Sequence, residues 1–168
     1  TILHFEDQTL NMTGLNGVGA ISGAGSLSSN SNSIFNATGT GNLGTILFDA
    51  GGNTLGTFIL NRASANSVTL NSPLTVASTF TLQGGTFTNT SGLSFASGAN
   101  VTRSVTLANS GTFAGAIPGG GPYNLTYTGS GTGTMNTGAL ASGSLNNITT
   151  TYPGTVSLNG AVSAAGNL

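Results

Sequence analysis

The stretch from Leu55 to Phe87 alternates short apolar pairs with turn-forming residues. The pairs begin six residues apart and are Val68/Leu70, Leu74/Val76 and Phe80/Leu82. Two side chains that lie two residues apart project from the same side of a strand. The gaps hold Asn, Ser, Pro, Gly and Thr, which favour turns. The pattern predicts short strands with one side always facing a core, which is typical of a β-solenoid.

This pattern leads us to predict an all-β chain that forms a parallel β-solenoid (β-helix) with no significant helix. Coils of about 18 to 25 residues would give roughly 7–9 coils. Stacked at about 4.8 Å per coil, they would build a rod of about 35 to 45 Å. The predicted structural core consists of Phe58, Leu60, Val68, Leu70, Leu74, Val76, Phe80, Leu82, Val156 and Leu158.

The chain also contains an internal repeat. Residues 68–76 align with residues 156–164 at an offset of 88, and residues 55–58 align with residues 145–148 at an offset of 90. We therefore predict edge or entry strands over 1–19, a solenoid repeat region over 20–144, and the start of a second copy over 145–168. An uncapped last coil would leave a sheet edge whose unpaired backbone groups can pair with another strand. The expected partners are neighbouring repeats or copies of the chain, stacked end to end.

Charge is scarce, which excludes several classes of partner. Only 3% of the 168 residues are charged, and the formal net charge is −1. Without a basic patch to neutralise phosphates, nucleic-acid binding is not expected. The sequence also holds no apolar run long enough for membrane insertion. Because 37% of the residues are apolar and follow a strand pattern, the chain is expected to fold rather than to serve as a flexible linker.

The residues that carry chemistry are too few for a catalytic, metal or cofactor site. There is no cysteine, one histidine, His4, and three acidic residues, Glu6, Asp7 and Asp49. A glycosidase or lyase on a β-helix needs clustered carboxylates. The segment 39–44, GTGNLG, matches a dinucleotide-binding fingerprint, but that motif works only before a helix, and here a strand pattern follows. We therefore predict no enzyme activity and no cofactor.

The order of these motifs over residues 20–168 resembles the repeats of very large secreted surface proteins of Bacteroidetes-type bacteria. The first part of the resemblance lies in AISGAGSLSSNSNSIFNATGTGNLGTILFDAGGNTLGTFILNRASANSVTLNSPLTVASTFTLQGGTF. The second part is SLNNITTTYPGTVSLNGAVSAAGNL, which resembles the opening of the next repeat. The resemblance implies export, by the type IX secretion route, to the bacterial cell surface. It also implies a role as an adhesin stalk or surface filament.

The functional prediction is therefore a rigid stalk or filament subunit in adhesion or surface coating. The alternative is a Thr/Asn-rich solenoid face that binds a ligand, either a glycan, including one on a host or cell surface, or ice. Ice binding would require the Thr-x-Thr motif on one face of consecutive coils, and occurrences such as those at 79/81, 86/88, 126/128 and 132/134 are irregularly spaced. A polysaccharide lyase is the third alternative, and it lacks its catalytic residues. Arg62 and Arg103 are expected to be exposed in turns or to donate to turn carbonyls, with a partner's carboxylate as the alternative.

Overall fold

The computed structural model describes residues 1–13, 24–63, 65–90, 92–106, 109–136, 138–158 and 162–166. Parts of the predicted entry segment (14–19) and of the predicted second copy (159–161 and 167–168) lie outside the described residues. The strands in chain order are β1 (Ile2–His4), β2 (Thr9–Met12), β3 (Ser26–Ser29), β4 (Ile34–Gly39), β5 (Gly44–Ile46), β6 (Phe48–Arg62), β7 (Ser67–Leu70), β8 (Leu74–Asn89), β9 (Leu93–Phe95), β10 (Asn100–Val105), β11 (Gly111–Gly115), β12 (Gly119–Gly120), β13 (Tyr123–Gly129), β14 (Thr134–Asn136), β15 (Leu145–Thr150) and β16 (Thr155–Ser157). The described part of the chain has one helix, a 3₁₀ turn at Gly138–Ser142, and no helix there has the length and apolarity to cross a membrane.

The strands wind into a column with three faces, and every strand pairs in parallel with the strands one coil away. The first face holds β1, β3, the starts of β6 and β8, β9 and β12. The second face holds β2, β4, the end of β6, the middle of β8, β10, β13 and β15. The third face holds β5, β7, the end of β8 and β11, and β14 and β16 pair separately. The predicted parallel β-solenoid is confirmed.

The coil count is lower than predicted, at about six turns rather than 7–9. On the second face, most coils are longer than the middle of the expected range, because the chain also forms strands on the two other faces before it returns. Thr79 pairs with Asn100, 21 residues further on, and Thr9 pairs with Ile34, 25 residues further on. At about 4.8 Å per coil, six turns span about 29 Å, which is shorter than the predicted rod.

Corners between the faces absorb the differences in coil length. The side chain of Asn89, buried where the third face ends, accepts hydrogen bonds from the backbone amides of Gly92 and Leu93 and donates to the carbonyl of Ala116 at 3.0 Å. The segment 118–122, PGGGP, which reads as a loop in the sequence, contains the two-residue strand β12 on the first face. Gly120 has a φ of 96°, and a Cβ there would overlap the backbone of Phe95, so this short strand needs glycine.

The core is a stack of inward side chains that repeats at the same position of each coil. On the second face this stack runs through Leu10, Phe35, Phe58, Phe80, Val101, Leu125 and Ile148. Three of these residues, Phe35, Phe58 and Phe80, form what we call the Phe stack. The ring centroids of Phe35 and Phe58 lie 5.3 Å apart and those of Phe58 and Phe80 lie 5.2 Å apart, with nearly parallel planes. Burying each apolar side chain contributes about 1.5–3 kcal/mol. The interior therefore stabilises each coil through its two neighbours.

Eight of the ten predicted core residues lie fully inside this column. They are at most 1% exposed and are Phe58, Leu60, Val68, Leu70, Leu74, Val76, Phe80 and Leu82. Val156 in β16 is half-buried against the core. Leu158 is 55% exposed, so its assignment to the core is corrected. It lies beyond the end of β16, and β16 pairs only with β14 among the described strands, so no neighbouring coil covers it there.

Candidate functional site

The outward positions of the second face form rows of uncharged polar side chains along the column. The middle row, which we call the Thr row, consists of Thr81, Thr102, Thr126 and Thr149. On one side of it runs the Asn row, which consists of Asn100, Asn124 and Asn147 and is continued by Thr79 one coil earlier. On the other side, Ser104 pairs with Thr128. Four consecutive coils therefore present a grid of hydroxyl and amide groups.

Side-chain hydrogen bonds hold the Asn row in place. The amide nitrogen of Asn124 donates to Oδ1 of Asn100 at 3.2 Å. Oδ1 of Asn124 accepts from the amide nitrogens of Asn146 and Asn147 at 3.0 and 2.9 Å. An amide ladder of this kind is typical of stacked parallel strands, where identical side chains lie about 4.8 Å apart. The ladder aligns three coils and fixes one border of the grid.

The Thr row differs from the Asn row because its hydroxyl groups take no hydrogen-bond partner within the part of the chain that the structure describes. Thr81, Thr102 and Thr126 are half-buried and Thr149 is exposed, so all four reach solvent. Threonine is branched at Cβ, and its χ1 angle is therefore restricted on a strand. The row presents methyl and hydroxyl groups at about 4.8 Å intervals, with little side-chain freedom to lose on binding.

Neither arginine lies on an exposed turn: Arg62 is the last residue of β6, at the corner after the second face, and Arg103 lies within β10 on the second face. Arg62 is 0% exposed, and its guanidinium donates to the carbonyls of Thr40 at 2.7 Å and Gly41 at 2.9 Å. Burial lowers the pKa of this guanidinium below its ordinary value. No carboxylate pairs with it among the described residues. The carbonyl dipoles of the corner therefore compensate the buried charge, which stays protonated because arginine cannot be deprotonated in proteins.

Arg103, in β10, also donates hydrogen bonds to backbone carbonyls of other strands. Its Nε donates to the carbonyl of Gly111 at 2.7 Å, and Nη1 donates to the carbonyl of Asn136. Burial lowers the pKa of Arg103, and the adjacent Tyr127 phenol opposes that change. Arg62 therefore donates to turn carbonyls, as one of the sequence-based readings expected, whereas Arg103 donates to carbonyls at the beginning of β11 and the end of β14.

The first coil holds a small charged cluster. Oε1 of Glu6 accepts from the Ser28 hydroxyl at 2.5 Å and lies 3.0 Å from Nδ1 of His4. The Ser28 hydrogen bond is the main reason that the pKa of Glu6 falls to about 2. The carboxylate of Asp7 accepts from the amide nitrogens of Asn30 and Asn32, and these bonds lower its pKa. The cluster joins the first coil to the second.

The described residues do not bring these groups together as a catalytic or metal site. No group of three or more His, Asp or Glu side chains there lies close enough to hold a metal ion. Asp49 is on the first face, where its carboxylate accepts from the amide of Gly51 at 3.1 Å. The segment 39–44 forms the turn between β4 and β5, without the helix that a dinucleotide fingerprint requires.

Sequence reasoning missed the Thr row because the Thr-x-Thr motif alone does not identify it: Thr81, Thr126 and Thr149 each belong to such a motif, and Thr102 does not. Thr102, which pairs with both Thr81 and Thr126, completes the row from a strand that lacks the motif. Aligning the coils on their inward residues Phe80, Val101, Leu125 and Ile148 places each threonine one residue later. That alignment is the signal that would have shown the row.

Comparison with protein families, with curated proteins and with solved structures gives no match for this chain.

Proposed function

We propose that this chain is a rigid β-solenoid segment of a secreted bacterial surface protein, where it acts as a stalk or filament subunit in adhesion or surface coating. In this role it would stack end to end with neighbouring repeats or with copies of itself. Its work is mechanical, and no reaction is assigned to it.

The observation that supports this role is the continuity of the column. Every strand of the second face, from Thr9–Met12 to Leu145–Thr150, pairs in parallel with the next, so backbone hydrogen bonds run along the axis of the rod. The Phe stack runs parallel to these bonds inside the column. A load applied along the axis is therefore resisted, at each junction between two coils, by backbone hydrogen bonds and packed side chains.

The buried arginines support the same role. Arg62 joins its own coil to carbonyls of the preceding coil and reaches the carbonyl of Met12 at 3.4 Å, one coil further back. Arg103 reaches forward to Asn136 in the following coil. Hydrogen bonds from a charged donor are worth about 1.5–3 kcal/mol each. Both guanidinium groups donate hydrogen bonds to backbone carbonyls of other coils or strands, and neither faces a ligand on the outer surface.

A single-molecule experiment tests the mechanical role. The full chain is pulled by its two ends, and extension is recorded against force. Because each coil is a separate layer of the column, we expect stepwise release of roughly 70 Å per coil of about 23 residues. Phe58→Ala should open at a lower force, and Thr57→Ala, on the outer side of the same strand, serves as the control. Smooth extension at low force, with no steps, would contradict a load-bearing stalk.

A second experiment tests the location. Intact cells of the source organism are treated with a protease that does not enter them, and the chain is followed by immunoblot. Loss of the signal without lysis supports display at the cell surface. A signal that disappears only after lysis contradicts export.

A further inference from the structure

We propose that the outer surface of the second face, over the four coils that carry the Thr row, binds an ice crystal. This inference is independent of the mechanical role, which depends on the interior of the column.

The first argument is the repetition of the surface. The Thr row places one hydroxyl and one methyl group per coil, at about 4.8 Å along the axis, and Thr126 and Thr128 lie about 7 Å apart along one strand. A surface that repeats in two directions is complementary to a ligand that also repeats in two directions. Water molecules in a crystal form such a ligand, and a single soluble small molecule does not.

The second argument is the state of the hydroxyl groups. Those of Thr81, Thr102, Thr126 and Thr149 have no partner among the described residues, so each is available to donate to and accept from water. The Asn ladder and the Phe stack hold the strands beneath them. A preorganised array loses little entropy when it orders the water it contacts.

The third argument separates ice from a glycan. Sugar rings are commonly bound on exposed aromatic faces, which offer a flat apolar platform. All eight Phe and all three Tyr of this chain are buried, at 7% exposure or less, and there is no Trp. No charged side chain lies in the grid of the second face. The face is therefore neutral, without aromatic platforms, and rich in hydroxyl and methyl groups.

The test measures ice recrystallisation in frozen sucrose with the purified full chain. The wild-type chain should inhibit crystal growth. Thr126→Tyr, which raises a bulky ring from the centre of the grid, should increase the protein concentration needed by roughly tenfold or more. The matched control is Thr88→Tyr, because Thr88 is a half-buried outward threonine on the third face. Circular dichroism of each variant reports whether the solenoid is retained.

A second variant, Thr126→Val, keeps the shape of the side chain and removes only the hydroxyl. We expect it to fold like the wild type and to inhibit less strongly. The proposal is overturned if the wild type does not inhibit recrystallisation, or if Thr126→Tyr is folded and fully active. It is also overturned if only the Thr88 variant loses activity, since the active surface would then be the third face. Retention of the chain on insoluble cellulose, without ice activity, would identify a glycan ligand instead.

Discussion

Phe58 lies at the centre of the aromatic stack, and its truncation to alanine is the sharpest test of the column. Its ring is 0% exposed and has Phe35 on one side and Phe80 on the other, with Phe87 edge-on at 5.1 Å. A buried Phe→Ala change costs about 3–5 kcal/mol. Each aromatic pair adds about 0.5–1.5 kcal/mol beyond burial. We expect Phe58→Ala to lower the free energy of unfolding by about 4 kcal/mol.

The measurement is urea unfolding followed by circular dichroism, with the midpoint and slope compared between variants. Phe58→Leu is the matched control, because it keeps most of the volume and should cost less than about 1.5 kcal/mol. The double variant Phe58→Ala/Phe80→Ala should show a coupling energy of about 0.5–3 kcal/mol, since the two rings are in contact. A loss below about 1 kcal/mol for Phe58→Ala would refute the reasoning, because the ring would then not be packed between its neighbours.

Three further predictions concern separate parts of the column. Gly84→Ala should destabilise the chain by about 1–3 kcal/mol, because the new Cβ would overlap the backbone carbonyl oxygen of Arg62 as well as the side chain of Asn109. Gly133→Ala, where a Cβ would meet nothing within 4 Å, is its control in the same unfolding assay, and equal losses would contradict this account. The pKa of Glu6 lies at about 2 instead of the usual 4.5, so the carboxylate stabilises the fold above pH 4.5, and this contribution is lost as the pH falls towards 2. Glu6→Gln should therefore flatten the acid side of a plot of unfolding midpoint against pH, and an unchanged slope would contradict the assignment. Burial raises the pKa of Tyr123 from 10.0 to about 12, so its stabilising contribution is present below pH 10 and is lost as the pH rises towards 12. Tyr123→Phe should reduce that alkaline loss, and ultraviolet difference spectra of the tyrosinate provide the measurement.

The inward-facing apolar positions were predictable from the sequence because they follow one local rule. Val68 and Leu70, or Phe80 and Leu82, lie two apart, and any strand places such a pair on one side. The rule does not depend on which strands are neighbours. It therefore identified the class of fold and eight buried core positions without knowledge of the coil length.

The rows of outward-facing side chains were not predictable, because which residues lie side by side depends on the register between coils. On the second face, paired residues lie between 21 and 25 residues apart in the sequence, so Thr102 and Thr126 look unrelated although they pair directly. Arg62 presents a similar difficulty: the sequence allows an exposed turn residue or a donor to turn carbonyls, and it does not decide between them. Its burial depends on carbonyls of Thr40 and Gly41, which approach it only after the coils stack.

The corners of the solenoid have a consequence for how such a chain can evolve. The strands of each face are bonded to strands directly above and below them, and differences in coil length are taken up at corners and at register shifts such as the one between Leu27 and Ser29. A gene segment that encodes one circuit of the chain can therefore be duplicated or deleted and leave the remaining layers in register. The length of the column is then a heritable quantity that changes in increments of one layer, about 4.8 Å at a time.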